Sequence, residues 1–301
     1  MIPATPNLTV RVGCNLVYET PVLTPAVFIV RPHRNAGHTV LEERCYYGPA
    51  SSAREFVDPL GNQVCRTLLL PGRNVIDMDA LVSVSPLPDN AGMNDQAVPI
   101  NELPQELLRY TLPSRYCDSD KLMNFAWQTF GSGIMDLQRV LNICDWTHRN
   151  IEYRFGSGSP DLSASEVIGR RYGVCRDFAH VVIALCRAYN LPARYVTGHL
   201  PDIGYVDPGT PMDFHAYAEV YLGHRWYTID ARYNVPRIGR IKLGHGLDAV
   251  DGAFCTLYGQ AQLQYFLVWA YQVNPRDVAL GSPIDLSRRL DGTTWVRSSE
   301  G

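Results

Sequence analysis

Cys175 sits in the stretch RYGVCRDFAH, residues 171–180, directly after a glycine-containing turn and at the start of a run with helical apolar spacing. A cysteine in the first turn of a helix faces free main-chain N–H groups and the positive end of the helix dipole. In exposed settings these favour an anion by about 0.3–1 kcal/mol. With a histidine beside it, such a cysteine can fall from about 8.5 to a pKa of roughly 3.5–7.5. The position therefore predicts a lowered thiol pKa and fast alkylation near neutral pH. Packing is the competing reason for a small residue there, and position alone does not separate the two.

A second stretch brings the partners such a thiol would need. In FHAYAEVYL, residues 214–222, Phe214, Ala216, Ala218, Val220 and Leu222 point one way. His215, Tyr217, Glu219 and Tyr221 point the other, because side chains alternate along a strand. If the turn is the pair Gly223 and His224, Leu222 faces Arg225 and Tyr217 faces Asp230. Directly opposed residues share a face, so His215 and Asp230 become diagonal neighbours within reach of an imidazole–carboxylate hydrogen bond. A three-residue turn without a bulge would put them on opposite faces. A thiol, an imidazole and a carboxylate that orients the imidazole suffice for covalent acyl transfer. The Cys175 N–H is positioned to be one oxyanion donor.

The elements that must position these residues can be read from pattern. Residues 1–85 carry short runs rich in Val, Leu and Tyr, bounded by Pro, Gly and Asn, which predict an all-β unit. Residues 86–117 are proline-containing with few apolar pairs and read as a linker. A core is expected over 118–270, followed by a polar tail, 271–301. Within the core, apolar residues at three- and four-residue intervals predict helices from Asp118 onward, then a short strand in IEYRFG. Ser163 and Glu166 form a capping-box pattern that opens a short helix. Phe178, Val181, Val182, Leu185, Cys186 and Tyr189 then form one buried face of the Cys175 helix.

Composition limits the remaining possibilities. The 301 residues are 46% hydrophobic and 19% charged with a formal net charge of −3. That gives no electrostatic reason to expect nucleic acid or an anionic membrane as partner. The first residues lack a basic and apolar leader pattern, so a cytoplasmic location is expected. The eight cysteines are scattered without a C-x-x-C pair, and His33, His38, His224 and His245 lack metal-ligand spacing. No metal or cofactor is expected.

GVCRDFAHVVIALCRAYNLPARYVTGHL followed by HAYAEVYLGHRWYTIDAR resembles the core of the transglutaminase-like superfamily of papain-fold cysteine enzymes. The form is that of its bacterial, cysteine-protease-like branch. ETPV and DPLGN look like that branch's N-terminal β-domain, and GHGLDAVDGAF resembles a segment following its catalytic aspartate. The resemblance implies an α+β papain-like core, with the cysteine helix packed on an antiparallel sheet, preceded by an all-β domain. It implies Cys175 as nucleophile, His215 as base and Asp230 as the third member. It also implies an aromatic oxyanion donor upstream, for which Tyr153 is the candidate and Trp146 a weaker one. Asp177 and His180 are candidates for supporting the triad from behind. Two departures stand out: RDF follows the cysteine where animal members carry tryptophan, and ARYN follows the aspartate where relatives often have Pro-Thr. The expected activity is thiol-dependent acyl chemistry on a peptide or protein amide, with water or an amine as acceptor. The alternative is a non-catalytic peptide-binding or scaffolding module of the same fold.

Overall fold

The Val- and Tyr-rich runs near the N-terminus form six strands in the computed structural model, which describes residues 7–34, 36–48, 53–90, 94–133, 135–206 and 211–291. They are β1 (Leu8–Thr20), β2 (Thr24–Phe28), β3 (Thr39–Gly48), β4 (Arg54–Val57), β5 (Gln63–Leu69) and β6 (Gly72–Val84). The mixed half follows: α1 (Ser119–Phe130), α2 (Leu137–Asn150), β7 (Glu152–Tyr153), α3 (Ala164–Arg170), β8 (Tyr172–Gly173) and α4 (Cys175–Arg187). Then come β9 (Ala193–His199), β10 (His215–Leu222), β11 (Arg225–Ile229), β12 (Ile241–Gly246) and α5 (Ala249–Gly252), with β13 (Cys255–Leu257) and β14 (Gln262–Gln272) last.

The central sheet of the mixed half has strand order β11-β10-β9-β12 and is antiparallel throughout. Helix α4 lies against it, and its apolar face joins Val140, Ile143, Ala218, Val220 and Tyr227 in one buried cluster. This is the predicted α+β core. The amphipathic period of α4 requires that packing, since a helix with one apolar face must cover it. Ser163 and Glu166 do form the capping box of α3, with Ser163 N–H donating to Glu166 Oε2 at 2.7 Å.

The strand pairing differs from the sequence-based boundary at residue 270. Strand β14 pairs with β1 in a sheet of order β14-β1-β6-β3, and β13 pairs with β2 in a sheet of order β13-β2-β5-β4. Residues 255–272 therefore complete the β-unit, not the core. The expected linker also has structure, in two 3-10 turns, Ile100–Glu102 and Gln105–Thr111. It buries Val98, Leu103, Leu107 and Tyr110 against Tyr221. The segment after Gln272 packs Val278, Leu280 and Ile284 on Trp269, Tyr271 and Val273. A buried pair holds it there: Arg11 Nη2 meets Asp79 Oδ2 at 2.6 Å, while Arg11 also donates to Ser282 O and Gly281 N–H to Asp79.

The entry into α4 depends on one close approach. The Asp177 carboxylate is fully buried and accepts from Val174 N–H at 2.9 Å, ending the preceding strand and starting the helix. A Cβ at position 173 would lie 2.6 Å from Asp177 Oδ2 and 2.7 Å from Asp177 Cβ. Gly173→Ala is expected to destabilise the fold by about 1–3 kcal/mol through this overlap, measured as a shift in the denaturant midpoint.

Candidate active site

Hairpin register decides the site. Gly223 and His224 both have positive φ, +52° and +68°, as a two-residue type I′ turn requires. Leu222 pairs with Arg225 and Ala218 with Ile229, the register in which His215 and Asp230 share a face. His215 Nε2 stands 2.7 Å from Asp230 Oδ2, and both side chains are buried.

Asp230 is held charged. Burial works against its ionised form, but His215 and Arg240 keep the carboxyl well below the usual carboxylate range. Arg240 Nη2 lies 2.8 Å from Asp230 Oδ2, and Arg232 N–H donates to Oδ1 at 3.1 Å. Arg240 is itself anchored, donating from Nε to Asp89 at 2.7 Å. An ionised carboxylate only accepts, so Nε2 of His215 carries a hydrogen and donates it to Asp230. Tyr217 and Tyr233 flank the ring, with centroids 6.3 and 5.3 Å away.

Cys175, half-buried at the head of α4, opens on a cavity of about 290 Å³ that His215 and Tyr153 also line. The main-chain amide of Ala216, next to His215, is hydrogen-bonded to the sulfur and favours its thiolate, as does that of Arg176. The expected lowering of the thiol pKa is absent. Burial first, then the carboxylates of Asp213 and Asp230, push Cys175 up to about 12 against the pull of those two amides. Dehydration of the sulfur outweighs the two amide hydrogen bonds. The resting side chain is a thiol that needs a base when it attacks.

Tyr153, in the short β7–β8 pair, lines the cavity with the Arg232 guanidinium 3.4 Å over its ring. Its phenol is raised by burial and by Cys175, with Arg232 opposing. Trp146 is elsewhere, packed edge-on between Phe125 and Phe130. Asp177 shapes the α4 entry and lies 3.4 Å from Arg176. His180 is not part of the cavity wall. It is buried between Tyr116 and Tyr195, and its Nε2 accepts from Ala249 N–H at 3.2 Å, tying α4 to α5. Among the described residues no group of three His, Cys, Asp or Glu side chains is arranged to hold a metal.

Three residues of the site went unnoticed in the sequence. Arg240 and Arg232 carry no spacing signal. Asp213 does: it precedes His215 by two residues, on the same side of an extended chain, and lines the same cavity. It is the leading charged side chain raising the Cys175 thiol. Removing a negative charge favours a thiolate. Asp213→Asn is therefore expected to move the midpoint of the iodoacetamide rate–pH profile of Cys175 to lower pH, read by intact-mass spectrometry. An unchanged midpoint would show that the Asp213 charge does not help to set the thiol.

With this geometry defined, known proteins can be compared. The sequence model of the transglutaminase-like superfamily matches residues 124–231, a span that contains Cys175, His215 and Asp230. A crystal structure from Cytophaga hutchinsonii, described as a putative cysteine protease, superposes with a TM-score of 0.80 at 31% identity. It covers 90% of this chain and 92% of its own. An uncharacterized protein of Mycobacterium leprae (strain TN) is 24% identical over 251 residues, which is 79% of this chain and 87% of the relative. An uncharacterized protein of Mycobacterium tuberculosis is 29% identical over 161 residues, 48% of this chain and 50% of that protein.

Proposed function

The chain belongs to the transglutaminase-like superfamily, and on that premise we propose that it is a thiol-dependent acyl-transfer enzyme acting on a peptide or protein amide through a Cys175 thioester. One observation carries the reading. A buried, charged Asp230 accepts from Nε2–H of His215, so Nδ1 is the ring nitrogen left to serve as base, in a residue that lines the cavity with Cys175.

In the first step Nδ1 of His215 takes the Cys175 proton as the sulfur attacks the amide carbon. The C–N bond breaks, and the leaving amine carries that proton away from the imidazolium. In the second step His215 takes a proton from water or an amine, which attacks the thioester carbon. The C–S bond breaks, and the sulfur recovers a proton from the imidazolium. A raised thiol pKa suits this order, since proton transfer accompanies attack and does not precede it. The Cys175 N–H and the Tyr153 hydroxyl are assigned as oxyanion donors, with Arg232 over the ring fixing its position. Water and amine acceptors use the same residues, and the partition between them follows from how the site excludes water.

Acyl-enzyme trapping tests the proposal. Brief treatment with p-nitrophenyl acetate should place one acetyl group on Cys175, visible by mass spectrometry and removed by hydroxylamine. Cys175→Ala should show none. His215→Ala should slow acetylation by about 10²-fold or more, the usual contribution of a positioned base. Acetylation spread evenly over the cysteines would favour a scaffolding module instead.

A further inference from the structure

The stretch Ala231 to Asn234, which departs from the pattern expected after the aspartate, puts an arginine at the edge of the site. Arg232 is held at both ends. Its main-chain N–H donates to Asp230 Oδ1 at 3.1 Å, and its guanidinium lies 3.4 Å over the Tyr153 ring and 5.1 Å from that of Tyr233. Neighbouring arginines have carboxylate partners: Arg240 has Asp89 and Asp230, Arg237 has Asp202 at 2.8 Å, and Arg289 has Asp291 at 3.2 Å. Arg232 forms no ion pair with a carboxylate among the described residues.

Tyr153 and Arg232 border two spaces. On one side is the cavity of Cys175 and His215. On the other is a groove of about 340 Å³, lined also by Arg149, Arg171 and Phe178. The charge of this groove is one-sided. Glu152, the acidic residue of its wall, is taken by Arg154 at 2.8 Å. Arg149 is paired with Asp145 at 3.0 Å. Arg171 donates to the Asn150 side-chain oxygen at 3.2 Å, a neutral partner. Arg171 and Arg232 therefore line one groove without a counter-ion among the described residues. The carboxylate of Asp213 belongs to the wall of the cavity and not to that of the groove.

A guanidinium stacked by its face on an aromatic ring keeps its N–H edge free, and that edge matches the two oxygens of a carboxylate. Arg232 is half-buried, so a pair formed there escapes part of the screening that makes exposed pairs weak. Tyr153 is assigned to the oxyanion. A carboxylate held on the guanidinium over its ring would thus stand within about two residues of extended chain from the reacting carbon.

We propose that Arg232, with Arg171, binds a carboxylate of the substrate close to the reacting amide, which makes the enzyme selective for amides beside an acidic side chain or a free C-terminus. The proposal rests on the acyl-transfer reading and names which amides that reaction takes.

The test alkylates Cys175 of the full chain with three matched reagents, followed by intact-mass spectrometry. Bromoacetyl-glutamate amide carries a side-chain carboxylate, bromoacetyl-glutamine free acid a terminal one, and bromoacetyl-glutamine amide neither. All three react with the same thiolate, so rate ratios within one variant cancel its ionisation. At least one carboxylate reagent should outpace the neutral one by about tenfold or more in wild type, and which one gains identifies the source. Arg232→Gln should abolish that advantage, Arg171→Gln should reduce it, and Arg232→Lys should keep part of it. Added salt should shrink it in wild type, a reading that needs no variant to fold. Equal rates for all three reagents in wild type, or an advantage that survives Arg232→Gln, would overturn the proposal. So would equal slowing of all three in Arg232→Gln with unchanged ratios, the result expected if Arg232 only holds Tyr153. A carboxylate advantage without acetyl transfer from p-nitrophenyl acetate would leave this site standing and bring down the acyl-transfer reading.

Discussion

A carboxylate buried against an imidazole is the constraint around which this molecule is arranged. Asp230 cannot stay charged in a dry interior without compensation, because an unpaired buried charge costs several kcal/mol. Its compensation comes from three directions: His215 across the hairpin, the Arg232 amide after the turn of chain, and Arg240 from the segment leading into β12. Arg240 needs its own partner and finds Asp89, from the segment that joins the β-unit to the core. Asp89 also accepts from Arg237 N–H. The imidazole is thus fixed by a chain of charges that spans the boundary between the two halves.

The same boundary supplies the cavity. Cys175, Tyr153 and His215 come from the core, while β14 and the tail residues Ile284 and Leu286 come from the β-unit side. Phe214, next to the histidine, packs with Phe254 and Phe266, so the strand carrying His215 is braced by the β-unit. Docking the β-unit on the core therefore builds a cleft wall as well as burying apolar surface. This explains why the chain returns after the core to complete the first two sheets.

How much of this was legible depended on whether the signal was local. The α4 helix, its capped neighbour α3 and the β10–β11 register follow from spacing over a few residues, and the register alone placed Asp230 beside His215. The antiparallel pairing of β14 with β1 spans most of the chain, and no local pattern encodes it. Arg240 was invisible for the same reason: its role depends on where β12 lies, beside β9. The lowered thiol expected from the helix terminus left out the burial and the Asp213 charge, which push Cys175 the other way. His180, a candidate for supporting the triad from behind, instead tethers α5, through a bond to Ala249 that no local pattern signals.

The most direct measurement is the tautomer of His215, by long-range ¹H–¹⁵N correlation NMR on ¹⁵N-labelled protein near pH 8. The account predicts a protonated, hydrogen-bonded Nε2 and an unprotonated Nδ1, with that preference lost in Asp230→Asn. A ring hydrogen on Nδ1, or a tautomer mixture insensitive to Asp230, would contradict it, because the imidazole would then have no fixed base to offer the Cys175 thiol.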